Sequence, residues 1–257
     1  MFQYDSKPSE IVIDEATGLV FTANFKPFPR VCIFSPTLEF ITCFTHKSLS
    51  PPYSLAVLRN NIYVSDGQCG LLFHFSEDSG YCKSASVSCM SSLIPLYDST
   101  CSIAVSEQEE VYACCTWKDQ IIVLDGDTLN RIRTITHRLI MRPIQLRLTI
   151  DEIYVILLHG IMLVLSHLGD IKYNSDSIRF SDINECLFNS FCINTNNGNI
   201  IIFENQSSQI QVFTHQGKLL YSLPTGGSVI RSGPLAITCE SRIIAFCSDY
   251  ETLVFIQ

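Results

Sequence analysis

Charge and long apolar runs are both scarce in this 257-residue chain. Charged side chains make up only 16% of the residues, although 47% are hydrophobic. No uninterrupted apolar run approaches the roughly 20 residues that a membrane-spanning helix requires. The first ten residues, MFQYDSKPSE, lack the basic and apolar segments of a secretory signal. We therefore expect a soluble, cytoplasmic protein that does not act at a membrane.

The sequence motifs of common enzymes and metal sites are also missing. No G-x-S-x-G, P-loop or H-E-x-x-H sequence occurs, and the six histidines are scattered along the chain. Catalytic zinc needs three convergent protein ligands, and the histidine positions do not assemble such a set. We predict no catalytic residue, no metal site and no cofactor. A hydrolase or lyase with a metal at the centre of its fold stays open as an alternative.

Cysteine is plentiful, but its spacing is not that of a scaffold. The twelve cysteines include no C-x-x-C pair, Cys114 and Cys115 are adjacent, and Cys32, Cys192 and Cys247 fall inside apolar stretches. A disulfide framework or a zinc site is one interpretation. Buried free thiols that behave as small hydrophobic groups are the interpretation that we favour.

What the chain does contain is a repeat. A short apolar strand core returns at intervals of about 45 residues, which is typical of a propeller blade. Each unit is too small to bury a core alone, so neighbouring units must pack together. The six cores are Ile11–Ile13, Leu55–Val57, Ile103–Val105, Leu146–Leu148, Phe191–Ile193 and Leu235–Ile237. We predict an all-β protein, a six-bladed β-propeller forming a single domain over residues 1–257.

Each unit is expected to be a meander of four antiparallel strands. The second unit shows three of them, at Ser54–Leu58, Ile62–Asp66 and Leu71–Phe75, as apolar runs bounded by polar turn residues. The sixth unit ends directly after its third strand. We expect the N-terminal segment, with Phe2 and Tyr4 at alternating positions, to supply the fourth strand and close the ring, because an open ring would expose strand edges.

The repeat resembles the NHL repeat. The resemblance rests on Tyr53–Val57, Asn61–Asp66 and Leu72–Phe75, and on Ile210–Phe213 with Leu235–Ile237 in later units. It covers essentially the whole chain and implies a protein-binding propeller, since NHL propellers often form the substrate-recognition end of tripartite-motif ubiquitin ligases. NHL propellers can also bind single-stranded RNA, which the acidic pI near 5.2 disfavours here. WD40 repeats are the rival, but no Trp-Asp pair occurs.

Strand order assigns each connecting loop to one end of its blade. The first-to-second and third-to-fourth loops share one face, where acids outnumber bases by about ten. The opposite face, formed by second-to-third and inter-blade loops, is nearly balanced in charge and carries aromatic residues among bases, as interface hot spots do. We predict a protein partner for it, although solvated turns and local packing remain alternatives. The predicted partner-binding residues are Phe25, Lys26, Phe28, Arg30, Trp117, Lys118, Arg142 and Arg231.

One residue breaks the repeat at the innermost strand. Arg147 occupies the position at which the other five units carry Val, Ala or Cys. A guanidinium in this position must be paired or reach water in the central channel, because an unpaired buried charge is costly. Arg147 is therefore predicted to be a channel residue that either anchors a ligand or makes structural hydrogen bonds.

Overall fold

A computed structural model describes residues 8–66, 70–76, 80–86, 102–175, 191–204, 209–224, 234–247 and 252–256. These residues form 23 strands arranged in six separate antiparallel sheets. The part of the chain that is described contains a single 3-10 turn, Thr116–Lys118, and no α-helix. None of these residues belongs to a helix long and apolar enough to cross a membrane.

The chain divides into two compact units, one of which, spanning residues 45–176, holds the second, third and fourth sheets. Each sheet has its strands in sequence order. The strands are β5 (Pro52–Leu58), β6 (Asn61–Asp66), β7 (Leu71–Ser76), β8 (Gly80–Ser86), β9 (Ile103–Val105), β10 (Glu110–Cys115), β11 (Gln120–Asp125), β12 (Arg131–Thr136), β13 (Pro143–Leu148), β14 (Ile153–Leu157), β15 (Met162–Leu165) and β16 (Ile171–Ser175).

The other unit combines residues 1–44 with 177–257 and holds the first, fifth and sixth sheets. Its first and fifth sheets have four strands, and three strands of the sixth sheet are described. The strands are β1 (Glu10–Ile13), β2 (Val20–Asn24), β3 (Arg30–Phe34), β4 (Phe40–Phe44), β17 (Phe191–Asn194), β18 (Asn199–Glu204), β19 (Gln209–Phe213), β20 (Leu219–Pro224), β21 (Leu235–Ile237), β22 (Ile243–Cys247) and β23 (Thr252–Ile256).

Within each unit the sheets pack face to face, because alternate residues of a strand point to opposite faces and both faces are apolar. Blade 2 contributes Ala56, Tyr63 and Leu72 to a cluster that it shares with blade 3. Blades 3 and 4 share a second cluster, blades 1 and 6 a third, and blades 5 and 6 a fourth. The second and third strands are therefore almost fully buried, whereas the outer strands β4 and β20 are largely exposed.

Serine side chains add hydrogen bonds between consecutive blades. Ser54 Oγ accepts from the backbone N of Ile103, and Ser102 Oγ accepts from the backbone N of Leu146, each over 3.2 Å. Both serines are buried, so these bonds satisfy polar groups that would otherwise be costly. They fix the position of β5 relative to β9, and that of β9 relative to β13.

The predicted fold class is confirmed by the strands. Each of the six predicted cores lies in the first strand of its own sheet, and the blades are antiparallel meanders. Pairing between the third and fourth strands also shifts by one residue at the equivalent point in five blades, which bends the outer strand in the same way each time. The predicted closing strand falls on residues 1–7, which lie outside the described residues.

The expectation of buried free thiols is met by only some of the described cysteines. Cys32, Cys114 and Cys192 are buried free thiols, and three further free cysteines are exposed. Cys115 differs, because it is disulfide-bonded. The side chains of Cys114 and Cys115 point to opposite faces of β10, so two adjacent cysteines meet different surroundings.

Candidate partner-binding loops

The five-residue loop between β2 and β3 presents two aromatic rings. Phe25 and Phe28 are 43% and 49% exposed, which is high for phenylalanine. The Lys26 ammonium lies 5.5 Å from the centre of the Phe25 ring, and the Arg30 guanidinium lies 5.1 Å from the centre of the Phe28 ring. Each ring is thus held beside a cation at a distance typical of cation–π attraction.

Arg30 is more buried than we expect for a residue that directly follows a proline-rich loop. It is the first residue of β3, it pairs directly with Asn24 of β2, and only 5% of it is exposed. Its Nε atom is buried and has no hydrogen-bond partner, and the same is true of Nδ2 of Asn24. Two buried donors therefore lie side by side at the ends of these strands.

The thiol of Cys32 lies on the same face of β3 as Arg30. Burial raises the pKa of Cys32 to about 11, an effect that the nearby guanidinium of Arg30 only partly opposes. The thiol is therefore neutral at physiological pH. It does not act as a counter-ion for the arginine.

A second aromatic pair lies in the unit formed by blades 2 to 4. The 3-10 turn between β10 and β11 carries Trp117, which is 45% exposed, and the Arg142 guanidinium lies 4.7 Å from its ring centre. Two contacts fix this geometry. Asp119 Oδ1 accepts from the backbone N of Arg142 over 2.7 Å, and Thr116 Oγ1 donates to the carbonyl oxygen of Pro143 over 2.7 Å.

Basic and apolar side chains are also exposed in the segments that contain Trp117 and Arg142. Lys118 in the turn is exposed, as are Arg138 and Met141 in the segment that joins blade 3 to blade 4. Asp119, the acid closest in sequence, already binds the backbone of Arg142. The region therefore offers a flat aromatic ring bordered by positive charge.

The structure thus brings six of the predicted residues together as three aromatic–basic pairs: Phe25 with Lys26, Phe28 with Arg30, and Trp117 with Arg142. Arg231 lies outside the described residues. These contacts arise within each unit and do not by themselves test the predicted site.

Arg147 is half-buried on β13, where its Nη1 donates to the carbonyl oxygen of Leu146 over 2.9 Å. This bond satisfies part of the guanidinium from the residue's own strand. It accords with the structural alternative for Arg147. Its role as a channel residue remains a prediction.

Basic residues of the outer strands neutralise part of the negative charge of the acidic loops. Glu110 and Glu152 bind Arg133 and Lys172, which belong to the outer strands β12 and β16 rather than to the loops. The estimated surplus of about ten negative charges omitted these outer-strand bases. At this end of the blades, many of the charges are therefore either solvated or paired with a neighbouring side chain.

Glu110 belongs to a polar network that joins blades 3 and 4. Both oxygens of Glu110 accept from Arg133, over 2.6 and 2.8 Å. The Tyr112 hydroxyl donates to Glu110 over 2.9 Å, accepts from Arg133 over 2.7 Å and lies 3.0 Å from Nδ1 of His167, whose Nε2 faces the carbonyl oxygen of Thr149. The Arg133 hydrogen bond is the main cause that lowers the pKa of Glu110, whereas burial raises the pKa of Tyr112.

A stacked pair occupies the corresponding place in blade 2. The rings of Tyr63 and His74 lie 4.8 Å apart and nearly parallel, and His74 Nε2 is 2.9 Å from the Asn61 side-chain oxygen. Burial lowers the pKa of His74 and raises that of Tyr63 to about 12. Both groups are therefore neutral near pH 7. Among the described residues, no three His, Cys, Asp or Glu side chains are grouped closely enough to hold a metal ion.

Comparison with known proteins shows the fold and no family. No family model matches the chain, and no curated protein is significantly similar to it. Solved structures are similar in shape. Hydrazine synthase from Kuenenia stuttgartiensis matches with a TM-score of 0.68 and 10% identity over 100% of this chain and 97% of that one.

Two other similar structures are a β-propeller domain and a set of WD40 repeats. The β-propeller domain of Cps50 (Swd1) from Myceliophteria thermophila has a TM-score of 0.65 and 11% identity, covering 99% of this chain and 98% of its own. The RRP9 WD40 repeats have a TM-score of 0.65 and 8% identity, covering 96% and 88%. The chain is a six-bladed β-propeller. At these identities the likeness establishes the fold alone, so the NHL type of the repeat stays a prediction.

Proposed function

We propose that this propeller is a non-catalytic protein-interaction module that binds a protein partner through its second-to-third-strand and inter-blade loops. The observation that carries the proposal is that three exposed aromatic side chains, Phe25, Phe28 and Trp117, each lie against a basic side chain. Energetically important interface residues are enriched in aromatic and arginine side chains. These loops offer both.

The cation–π contacts also prepare the rings for binding. A side chain that is already ordered loses less conformational entropy when a partner covers it. The guanidinium of Arg142 restricts Trp117, and the Asp119 hydrogen bond restricts the backbone of Arg142. The turn therefore presents a rigid anchor, which favours recognition of a protein surface over a merely solvated loop.

The narrower role that we propose is that of an adaptor or a substrate-recognition propeller. The support is the resemblance of the second unit, Tyr53–Val57 with Asn61–Asp66, to NHL repeats. Under this proposal the propeller is one domain and works in the cytoplasm. Ligase activity is not part of the proposal, because such activity belongs to other domains.

The proposal is tested by comparing the partners captured by three proteins. The first is the wild type, and the second carries Phe25→Ala, Phe28→Ala and Trp117→Ala. The third is a matched control with Ile150→Ala and Leu168→Ala, which removes two strongly exposed apolar side chains from first-to-second and third-to-fourth turns. Quantitative mass spectrometry after affinity capture measures the bound proteins.

We expect specific partners to be at least tenfold depleted on the triple variant and retained on the control. Circular dichroism and the melting temperature show whether each variant is folded. If the triple variant is folded and retains every partner, or if only the control loses them, the aromatic loops are not the binding site.

A further inference from the structure

The most unusual charge in the described residues is Arg30. Only 5% of this arginine and 1% of the neighbouring Asn24 are exposed. Arg59, Arg133, Lys172 and Arg242 form ion pairs with acids of the described residues, whereas Arg30 forms none with a described acid. Buried guanidinium groups are normally paired with a carboxylate, because burial without a partner costs free energy. Arg30 therefore needs an explanation.

Asn24 and Arg30 point to one face of their sheet. They are directly opposite each other in the β2 and β3 register, so their side chains lie side by side. Thr22 Oγ1 donates to Asn24 Oδ1 over 2.8 Å, which occupies the amide oxygen, while Nδ2 remains without a partner. The Nε atom of Arg30 is the second buried donor without an acceptor.

The pair lies at the loop end of its strands, with apolar packing on its other side. Next to Arg30 on the same face are Cys32 and Phe34, which pack against Ile244 and Phe246 of blade 6. In the other direction the strands end, and the loop with the exposed ring of Phe28 begins. The donors therefore lie at the loop end of blade 1, on the side away from this apolar packing and next to the ring of Phe28.

The groups around Arg30 leave it positively charged. The Cys32 thiol is neutral near pH 7, as its raised pKa of about 11 requires. The Phe28 ring, 5.1 Å from the guanidinium, attracts a cation but accepts no strong hydrogen bond. One positive charge and two donors without acceptors match the charge and hydrogen-bonding capacity of a single carboxylate.

We propose that Arg30 and Asn24 form a receptor for an Asp or Glu carboxylate of the protein partner, with Phe28 covering the residue beside it. This inference rests on the proposed function and specifies the chemistry of the partner at that site. The carboxylate accepts from Arg30 and from Nδ2 of Asn24. A nucleic-acid phosphate is disfavoured because the chain carries a net charge of −8.

The binding test uses an array of capped peptides in which Asp or Glu is flanked by every pair of residues. A matched array carries Asn or Gln at the central position. Wild-type protein is compared with Arg30→Met, which removes the charge but keeps an apolar stem, with Arg30→Lys, and with Arg131→Met, which makes the same charge change at an exposed site of outer strand β12.

We expect the best acidic peptides to bind the wild type and Arg131→Met at least tenfold more tightly than their amide matches. Arg30→Met is expected to lose this preference, and Arg30→Lys to keep part of it because lysine retains the charge without the fork of donors. Equal binding of acidic and amide peptides to the wild type, or an unchanged preference in Arg30→Met, overturns the proposal. Binding of free N-acetylaspartate as strongly as the best peptide assigns the site to a small acid and overturns the choice of a protein partner.

Stability provides a second readout that needs no ligand. If Arg30 has no counter-ion in the free protein, Arg30→Met is expected to keep or raise the melting temperature, and Arg131→Met to leave it nearly unchanged. A fall of several degrees in Arg30→Met alone, reproduced by a variant with Asp249→Asn and Glu251→Gln, assigns the counter-ion to this chain and overturns the proposal. Those two acids lie outside the described residues.

The two proposals fail in different ways. Loss of carboxylate preference in the array, with partners still captured through Phe25, Phe28 and Trp117, removes only the receptor. If the array shows the carboxylate preference but the triple variant still captures every partner, the proposed interaction site is wrong instead.

Discussion

Replacing Glu110 by Gln is predicted to destabilise the unit of blades 2 to 4 by about 1 to 2 kcal/mol. The substitution preserves size and one oxygen acceptor but removes the charge. Arg133 then loses a bidentate partner whose contacts are 2.6 and 2.8 Å long. The single amide oxygen of glutamine cannot replace both carboxylate oxygens, so the Tyr112 hydroxyl and Arg133 compete for it.

The magnitude follows from the exposure of the pair. Hydrogen bonds to charged groups contribute roughly 1.5 to 3 kcal/mol when buried, and exposed ion pairs only about 0.2 to 1 kcal/mol. The Arg133 and Glu110 side chains are 30% and 23% exposed, so solvent screens part of the interaction. The buried Nε of Arg133 already lacks a partner, and without the Glu110 carboxylate only Nη2 keeps acceptors, the Tyr112 hydroxyl and the His167 carbonyl oxygen. This makes the loss of the carboxylate more costly.

Urea denaturation at pH 7 measures the effect, and Arg59→Met provides the control. Arg59 binds Glu109 over 2.7 Å, but these side chains are 61% and 44% exposed. We expect the control to change the free energy of unfolding by less than about 0.5 kcal/mol. If Glu110→Gln has no larger effect than Arg59→Met, the network does not stabilise the junction of blades 3 and 4.

The pH dependence gives an independent check with a definite sign. Because Arg133 lowers the pKa of Glu110 in the folded state, the carboxylate stabilises the fold above the unfolded pKa of about 4.3, and this stabilisation is lost as the pH falls through the lower folded pKa. The difference between wild type and Glu110→Gln is therefore constant from pH 5 to 7 and narrows below about pH 4. A difference that grows on acidification contradicts the assignment.

Three further predictions concern single side chains. Gly126→Ala is expected to cost about 1 to 3 kcal/mol in urea denaturation, because the added Cβ would lie 2.5 Å from a backbone oxygen and 2.6 Å from the Tyr63 hydroxyl; a cost below about 0.5 kcal/mol contradicts the close packing. Because burial lowers the pKa of His74, the free energy of unfolding is expected to fall as the pH drops below about 6.5, the pKa of histidine in the unfolded chain. His74→Gln is expected to remove this pH dependence, and an unchanged pH profile in the variant refutes the prediction. Cys32 is expected to react with iodoacetamide at pH 8 at least a hundredfold more slowly than exposed Cys82, since burial raises its pKa to about 11; equal rates by peptide mapping contradict this.

The strands could be predicted because their signal is local. Val, Ile, Phe and Tyr in short runs bounded by turn residues specify a strand wherever they occur, and the repeat places six such sets in order. In the second unit, the predicted strands match β5, β6 and β7 to within two residues at each end. The predictions are Ser54–Leu58, Ile62–Asp66 and Leu71–Phe75, and the strands are Pro52–Leu58, Asn61–Asp66 and Leu71–Ser76. Strand order also showed which loops are second-to-third connections.

Side-chain partners could not be predicted because they depend on packing between distant segments. Glu110 and Arg133 are separated by 23 residues, and only the register of β10, β11 and β12 brings them together. The depth of Arg30 depends on the exact residue at which β3 begins, and loop composition does not reveal that residue. The contact of Trp117 with Arg142 depends in the same way on how blades 3 and 4 pack.

Site-specific photo-crosslinking tests the central claim most directly. A benzophenone amino acid is placed at position 117, at position 28 or, as a control, at position 168, where Leu168 is strongly exposed in a third-to-fourth turn. The crosslinked proteins are identified by mass spectrometry. The proposal predicts that the same partner crosslinks at positions 117 and 28 and not at 168. A partner that crosslinks only at position 168 contradicts it.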